Sequence, residues 1–159
     1  MQRLLPLLAH SAWLAVLATA ALAQPHPLAR VPQPPDTLVN GRWNGVDLER
    51  RSACMRPENE GTRGTYAQFD ISTDATGAFA IGQSGITGLN CNYVGRYQVV
   101  ANRLSAEGTY SCTDGKQGAF RTTSVVVRPT ALEIRMAIQL TGTETCAIDA
   151  ILGMARFEQ

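Results

Sequence analysis

The sequence predicts an all-β protein, an eight-stranded antiparallel up-and-down meander closed into a barrel, with a β-sandwich as the alternative. Three observations carry that expectation. Runs of period-two alternation follow one another, and no segment has a convincing 3.6 period. Every connection is short, which suits a meander better than crossovers. The apolar sets of neighbouring strands also coincide once hairpins are drawn, most clearly between Leu89 and Thr113. With Ala101-Asn102 as a two-residue loop, Cys91 faces Cys112, Tyr93 faces Tyr110 and Gly95 faces Gly108. Tyr97 then faces Ala106 and Val99 faces Leu104. A slip of one residue would destroy the match, because it sends each side chain to the other face.

Taken in order, residues 1–23 read as a secretory signal peptide. Arg3 supplies the positive start, Leu4 to Leu17 is mostly apolar, and Ala21-Leu22-Ala23 is a small-x-small cleavage site. A membrane anchor would need about 20 apolar residues, and Pro6, His10 and Ser11 interrupt this run. The first cysteine is Cys54, so the small-residue site is not that of a lipid-modified N-terminus. Residues 24–36 (QPHPLARVPQPPD) hold five prolines in thirteen positions. Proline lacks the donor that a ladder needs, so this stretch reads as a disordered leader. Residues 37–159 then form a single β-barrel domain.

Within that domain the first strand opens at Gly41-Arg42-Trp43 and runs to about Ser52. Gly64 to Ser72 is the second strand and Ala78 to Gln83 the third, joined by the turn 73–77. The hairpin described above supplies the fourth and fifth. Gly118 to Arg128 is the sixth, Ala131 to Leu140 the seventh and Cys146 to Phe157 the eighth. In the seventh, Leu132, Ile134, Met136, Ile138 and Leu140 share one face, with Glu133, Arg135, Ala137 and Gln139 on the other. In the eighth, Ile148, Ala150, Leu152 and Met154 share a face, and Asp149 is placed outside. Such alternation belongs to antiparallel sheet with one solvated side.

A closed meander places all four cysteines at one end. Strands four and five are neighbours, as are eight and one, so the pairing is Cys91–Cys112 and Cys54–Cys146. Four cysteines allow three connectivities; this one satisfies every cysteine locally. In the chain-entropy picture the long loop is worth about 4.5 kcal/mol and the short one about 3 kcal/mol. Such bridges require an oxidising compartment, so the expected location is exported, periplasmic or extracellular.

Charge excludes several partner classes. The chain carries 14 Lys+Arg against 13 Asp+Glu, and loss of Arg3 with the signal leaves the two equal. A neutral chain offers no electrostatic case for nucleic acid or acidic membranes. Catalytic chemistry is not expected either. The two histidines are His10 and His26, ahead of the domain, which removes Ser-His and Cys-His sites and histidine metal sites. No two cysteines have CxxC spacing. Asp47 and Glu49 share a strand face and read as solvated surface charges, as do Glu58 and Glu60 beside Arg56 and Arg63. Asp70, Asp74 and Asp114 lack the spacing of a calcium loop. The glycines at 82, 85 and 88 mark a bulge or turn rather than a phosphate loop. No cofactor and no metal are expected.

Gly41-Arg42-Trp43 is a G-x-W at the entry to the first strand of an eight-strand meander. In this the chain resembles the lipocalins and the wider calycin superfamily, where the tryptophan packs across one end of the barrel. The resemblance implies a calycin-like barrel with its loops as a ligand gate, here the Met55–Arg63 loop. Avidin-like barrels, closer in length, cage their ligand with several tryptophans. Trp43 is the only one left after the signal is removed, which argues against biotin. Trp43, Tyr66, Tyr93, Tyr97, Tyr110 and Met136 are the candidate pocket lining. The expected function is an exported, monomeric, non-enzymatic binding protein for a small apolar ligand. The alternative is a protein-interaction or inhibitor module with a filled barrel core.

Overall fold

The computed structural model describes residues 35–157; the expected signal peptide and the expected leader up to residue 34 lie outside the described residues, as do residues 158–159. A short helix α1 (Pro35–Val39) precedes the strands β1 (Gly41–Ser52), β2 (Gly61–Thr73), β3 (Ala78–Gly85) and β4 (Asn90–Val100). β5 (Arg103–Cys112), β6 (Gln117–Val127), β7 (Ala131–Thr141) and β8 (Ala147–Arg156) follow. The last two residues of the expected leader thus begin a helical turn, at whose start proline's missing donor costs nothing.

Strands pair antiparallel in chain order, and β8 returns to β1 to close the barrel. Pairing from Trp43–Arg156 to Ser52–Ala147 forms that seam, so the sandwich alternative falls. β2 begins at Gly61, earlier than expected, because Gly61 to Arg63 continue the ladder with Arg51 to Glu49. β4 and β5 take the register read from the sequence, Cys91 opposite Cys112 through Val99 opposite Leu104. Ala101 (φ 49°) and Asn102 (φ 61°) are both left-handed, as a two-residue hairpin loop with the right twist requires. Halfway along, Gly95 faces Gly108. A Cβ on Gly95 would lie 1.9 Å from the Glu107 carbonyl oxygen, so this close approach of two strands demands glycine.

Both disulfides, Cys54–Cys146 and Cys91–Cys112, form at the same end of the barrel, hereafter the mouth. The opposite end is closed by side chains. Trp43 is fully buried there and its Nε1 donates to the Val39 carbonyl at 2.8 Å. The Arg156 guanidinium covers the Trp43 ring at 4.3 Å and donates to the carbonyls of Pro129 (2.8 Å), Asn40 (3.1 Å) and Leu38 (2.5 Å). Between that closure and the mouth, inward side chains fill the barrel. The apolar faces of β7 and β8 are buried as their alternation predicts, and Asp149 is exposed. Tyr93 packs edge-on to Phe120 with ring centres 5.5 Å apart, and against Tyr110 at 4.9 Å.

β1 departs from the pattern of the other strands. Its inward set begins with Trp43 and Gly45 and continues with Asp47, Glu49 and Arg51. Its outward set includes Val46 and Leu48, both more than 40 % exposed. The register is held from below. Trp43 fills the closed end, and a Cβ on Gly45 would come within 2.1 Å of the Gly153 carbonyl oxygen. With parity fixed by those two residues, the charges that follow must point inward.

Candidate functional site

The inward charges of β1 meet polar side chains from three other strands just inside the mouth. Asp47, only 5 % exposed, accepts a hydrogen bond at Oδ2 from Gln83 Nε2 on β3 at 2.8 Å. Gln83 in turn accepts at Oε1 from the Tyr93 hydroxyl on β4 at 3.1 Å. Asp47 Oδ1, equally buried, has no hydrogen-bond partner. Two residues nearer the mouth, Glu49 Oε2 accepts from Arg51 Nε at 2.8 Å and Nη2 at 2.5 Å. Tyr110 on β5 closes one wall, its hydroxyl 2.7 Å from Cys112 Sγ; the half-cystine has no hydrogen, so the hydroxyl donates.

Asp47, Glu49, Arg51, Gln83 and Tyr110 line a cavity of about 160 Å³ that also touches Arg63, Thr65, Cys91 and Lys116. Its electrostatics follow from burial. Desolvation, reinforced by the neighbouring Glu49 charge, raises the Asp47 pKa to about 6, against the opposing effects of Gln83 and Arg51. Burial likewise pushes the Tyr93 and Tyr110 hydroxyls up, so both remain protonated donors at any physiological pH. At the mouth, Lys116 pairs with Asp114 and holds that carboxyl below its ordinary range against partial desolvation.

The segment over the mouth is pinned rather than loose. Glu144, buried before the Cys54–Cys146 bridge, accepts from Arg56 Nε at 2.7 Å and from Asn59 Nδ2 at 2.8 Å. Hydrogen bonding to Arg56 lowers its pKa. The Met55 amide donates to the Thr145 carbonyl at 2.8 Å. Cys54, Glu144 and Cys146 place ligand-type atoms together, but both sulfurs are committed to the disulfide and offer no thiolate.

The six residues expected to line an apolar pocket are dispersed. Trp43, Tyr93 and Met136 are fully buried in the packed interior, and Tyr110 alone borders the mouth cavity. Tyr97 is half-buried towards the closed end, where its hydroxyl donates to the Asp74 carbonyl at 2.9 Å. Tyr66 is a correction: it is 50 % exposed on the outer face of β2, because Ala67, Phe69 and Ile71 take the inward parity. Asp47 and Glu49 are a second correction, lying inside the barrel and not on its surface. Their shared face was legible; that the face points inward could have been read only by carrying the parity of Trp43 along the strand.

No protein-family model and no curated protein matches this chain. What the fold and site define is therefore a class: a closed eight-stranded antiparallel barrel, consistent with calycin design, with a polar, disulfide-stapled mouth. Two disulfides suit an oxidising, exported environment. Among the described residues no helix is long and apolar enough to cross a membrane.

Proposed function

We propose that this protein is an exported, monomeric, non-enzymatic binding module that receives a small ligand at the barrel mouth. One observation carries the reading. The apolar interior is occupied by its own side chains, from Trp43 through Phe120 to Met136, whereas the cavity inside the mouth is lined by buried charge. An apolar ligand, the expectation from sequence, would have to displace packed core; a polar one meets hydrogen-bonding groups already in place. The absence of histidine from residues 35–157 supports a non-enzymatic role. The test is native mass spectrometry of the protein purified from its own host's exported fraction. A retained small polar molecule, lost from Asp47→Asn, is the expected result. A bare chain mass, four hydrogens below that of the reduced protein, would count against the carrier.

A second reading has its own support. Val46, Leu48, Tyr66 and Ile86 are 46 %, 42 %, 50 % and 76 % exposed. Val46 and Tyr66 face each other across β1 and β2, and the Ile86 amide donates to the Tyr66 carbonyl. A cluster of this kind favours a protein-interaction or inhibitor module with a filled core. Val46→Ser combined with Tyr66→Ser separates the two, since a carrier keeps its ligand and an interaction module loses its target.

A further inference from the structure

We infer that the mouth cavity takes a small zwitterion, its ammonium directed inward to Asp47 and its anionic group outward to Arg63 and Lys116. The inference rests on the mouth-binding reading and specifies its ligand class. Its first support is Asp47 Oδ1, a carboxylate oxygen inside a residue only 5 % exposed, bordering the cavity without a donor. Buried polar atoms are almost always paired, and those that are not call for an explanation. Glu49 does not compete for the same donor, because Arg51 already binds it through two nitrogens. The inner group therefore holds two carboxylates against one guanidinium, leaving one negative charge at its deepest point.

The second support is the opposite sign at the rim. Arg63 and Lys116 line the same cavity, and Arg63 is exposed. Lys116 is partnered by Asp114, so the rim retains one positive charge. The lining is thus dipolar along the barrel axis. A simple amine would satisfy the floor and add to the charge at the rim; a simple anion would satisfy the rim and face Asp47. A molecule carrying both charges matches both ends. A metal cation fits poorly, since Gln83 Nε2 already occupies the other oxygen of this carboxylate and Arg51 occupies Glu49, whereas hard cations want six or more oxygens.

Size and reach narrow the class further. A cavity of 160 Å³ equals the liquid share of about five waters. Arg63 pairs with Glu49, two residues above Asp47 on β1, a rise of about 7 Å. Binding groups anchored at different depths suit a ligand whose two charges are set apart along its length, and a short ω-amino acid is the simplest probe of that class.

The experiment titrates the oxidised, exported protein, labelled with ¹⁵N, with 4-aminobutyrate, n-butylamine and butyrate at matched ionic strength. The Gln83 side-chain amide and the Thr65 backbone amide are the reporters. The expected result is a Kd for 4-aminobutyrate about tenfold or more below that of either single-charge probe. Asp47→Asn, isosteric and free of the buried charge, should weaken it by a similar factor, and Arg63→Gln should narrow its advantage over n-butylamine. Equal binding of n-butylamine and 4-aminobutyrate would overturn the zwitterion while leaving a mouth-binding protein. Silence from all three probes would overturn it too. The mouth reading falls with it only if protein from the native host also carries no retained small molecule.

Discussion

Asp47 receives one hydrogen bond, from Gln83 at 2.8 Å, although its carboxylate is nine-tenths buried. Desolvation by burial, reinforced by the Glu49 charge, outweighs that single donor and the nearby Arg51, and raises the pKa from 3.8 to about 6. The folded chain holds this proton more tightly than the unfolded chain. Stability from this group is therefore greatest below the unfolded value and is lost as pH rises from about 3.8 to about 6. A shift of this size corresponds to at most ~3 kcal/mol. Asp47→Asn should then be more stable than the parent by about 1–3 kcal/mol at pH 7.5, with the gap closing near pH 3.5. Urea denaturation at the two pH values measures both. An Asn variant less stable at pH 7.5 would mean that the carboxylate is satisfied in the free protein.

The two disulfides close loops of very different length, with sequence separations of 92 and 21 residues. Replacing Cys54 and Cys146 together by alanine should cost about 4.5 kcal/mol, and replacing Cys91 and Cys112 about 3 kcal/mol, if the bridges act by restricting the unfolded chain. The second pair lies inside one hairpin, whose ladder already holds its partners together. The first ties the seam where β8 meets β1. Urea midpoints for the two double variants decide the order, and a larger loss from the hairpin bridge would contradict the entropic account.

How much of this was legible beforehand depended on what each residue's neighbours demanded. The β4–β5 register was readable because five apolar, glycine or cysteine pairs agree on a single alignment. The disulfides followed from topology, since a closed meander leaves each cysteine one adjacent partner. Tyr66 was misplaced because aromatic character says nothing about parity; only Ala67, Phe69 and Ile71, the less conspicuous residues, fix which way β2 faces. Asp47 and Glu49 were misread for the complementary reason. Charge is ordinarily solvated, and β1 departs from that rule while Val46 and Leu48 take the outside. Local pattern and global fold disagree along this stretch, and the candidate site lies there.

The hairpin loop carries a local conflict of a milder kind. Ala101 has φ 49°, a left-handed conformation that a Cβ disfavours by about 1 kcal/mol. Asn102 tolerates the same region better. Ala101→Asn combined with Asn102→Gly supplies the residue pair that such a loop prefers. The double variant should be more stable by roughly 0.5–1 kcal/mol, with the Cys91–Cys112 pairing intact. Thermal unfolding measures the gain, and a loss would show that the loop is not left-handed at both positions.

At the closed end, stability should converge on Arg156 and Trp43. The guanidinium donates to three carbonyls from separate segments, the Pro129 turn, Asn40 and α1, while its face lies on the indole ring. Lysine keeps the charge but lacks the planar fork, so it can hold one or two of those carbonyls and not all three. Arg156→Lys should therefore cost about 1 kcal/mol and Arg156→Met more, because the part-buried carbonyls of Leu38 and Asn40 would then lose their donors. Trp43→Phe removes the Nε1 bond to Val39 and weakens the cation–π contact. The single changes should not add in the double variant. A coupling of about 1 kcal/mol is expected for residues in contact, whereas strict additivity would mean that ring and guanidinium are merely adjacent. Trp43 is the only tryptophan after residue 23, so its emission reports this end directly in the Arg156 variants. Emission that reddens below the global unfolding midpoint in Arg156→Lys would show the closed end opening first; emission locked to the global transition would place the loss of stability in the barrel as a whole.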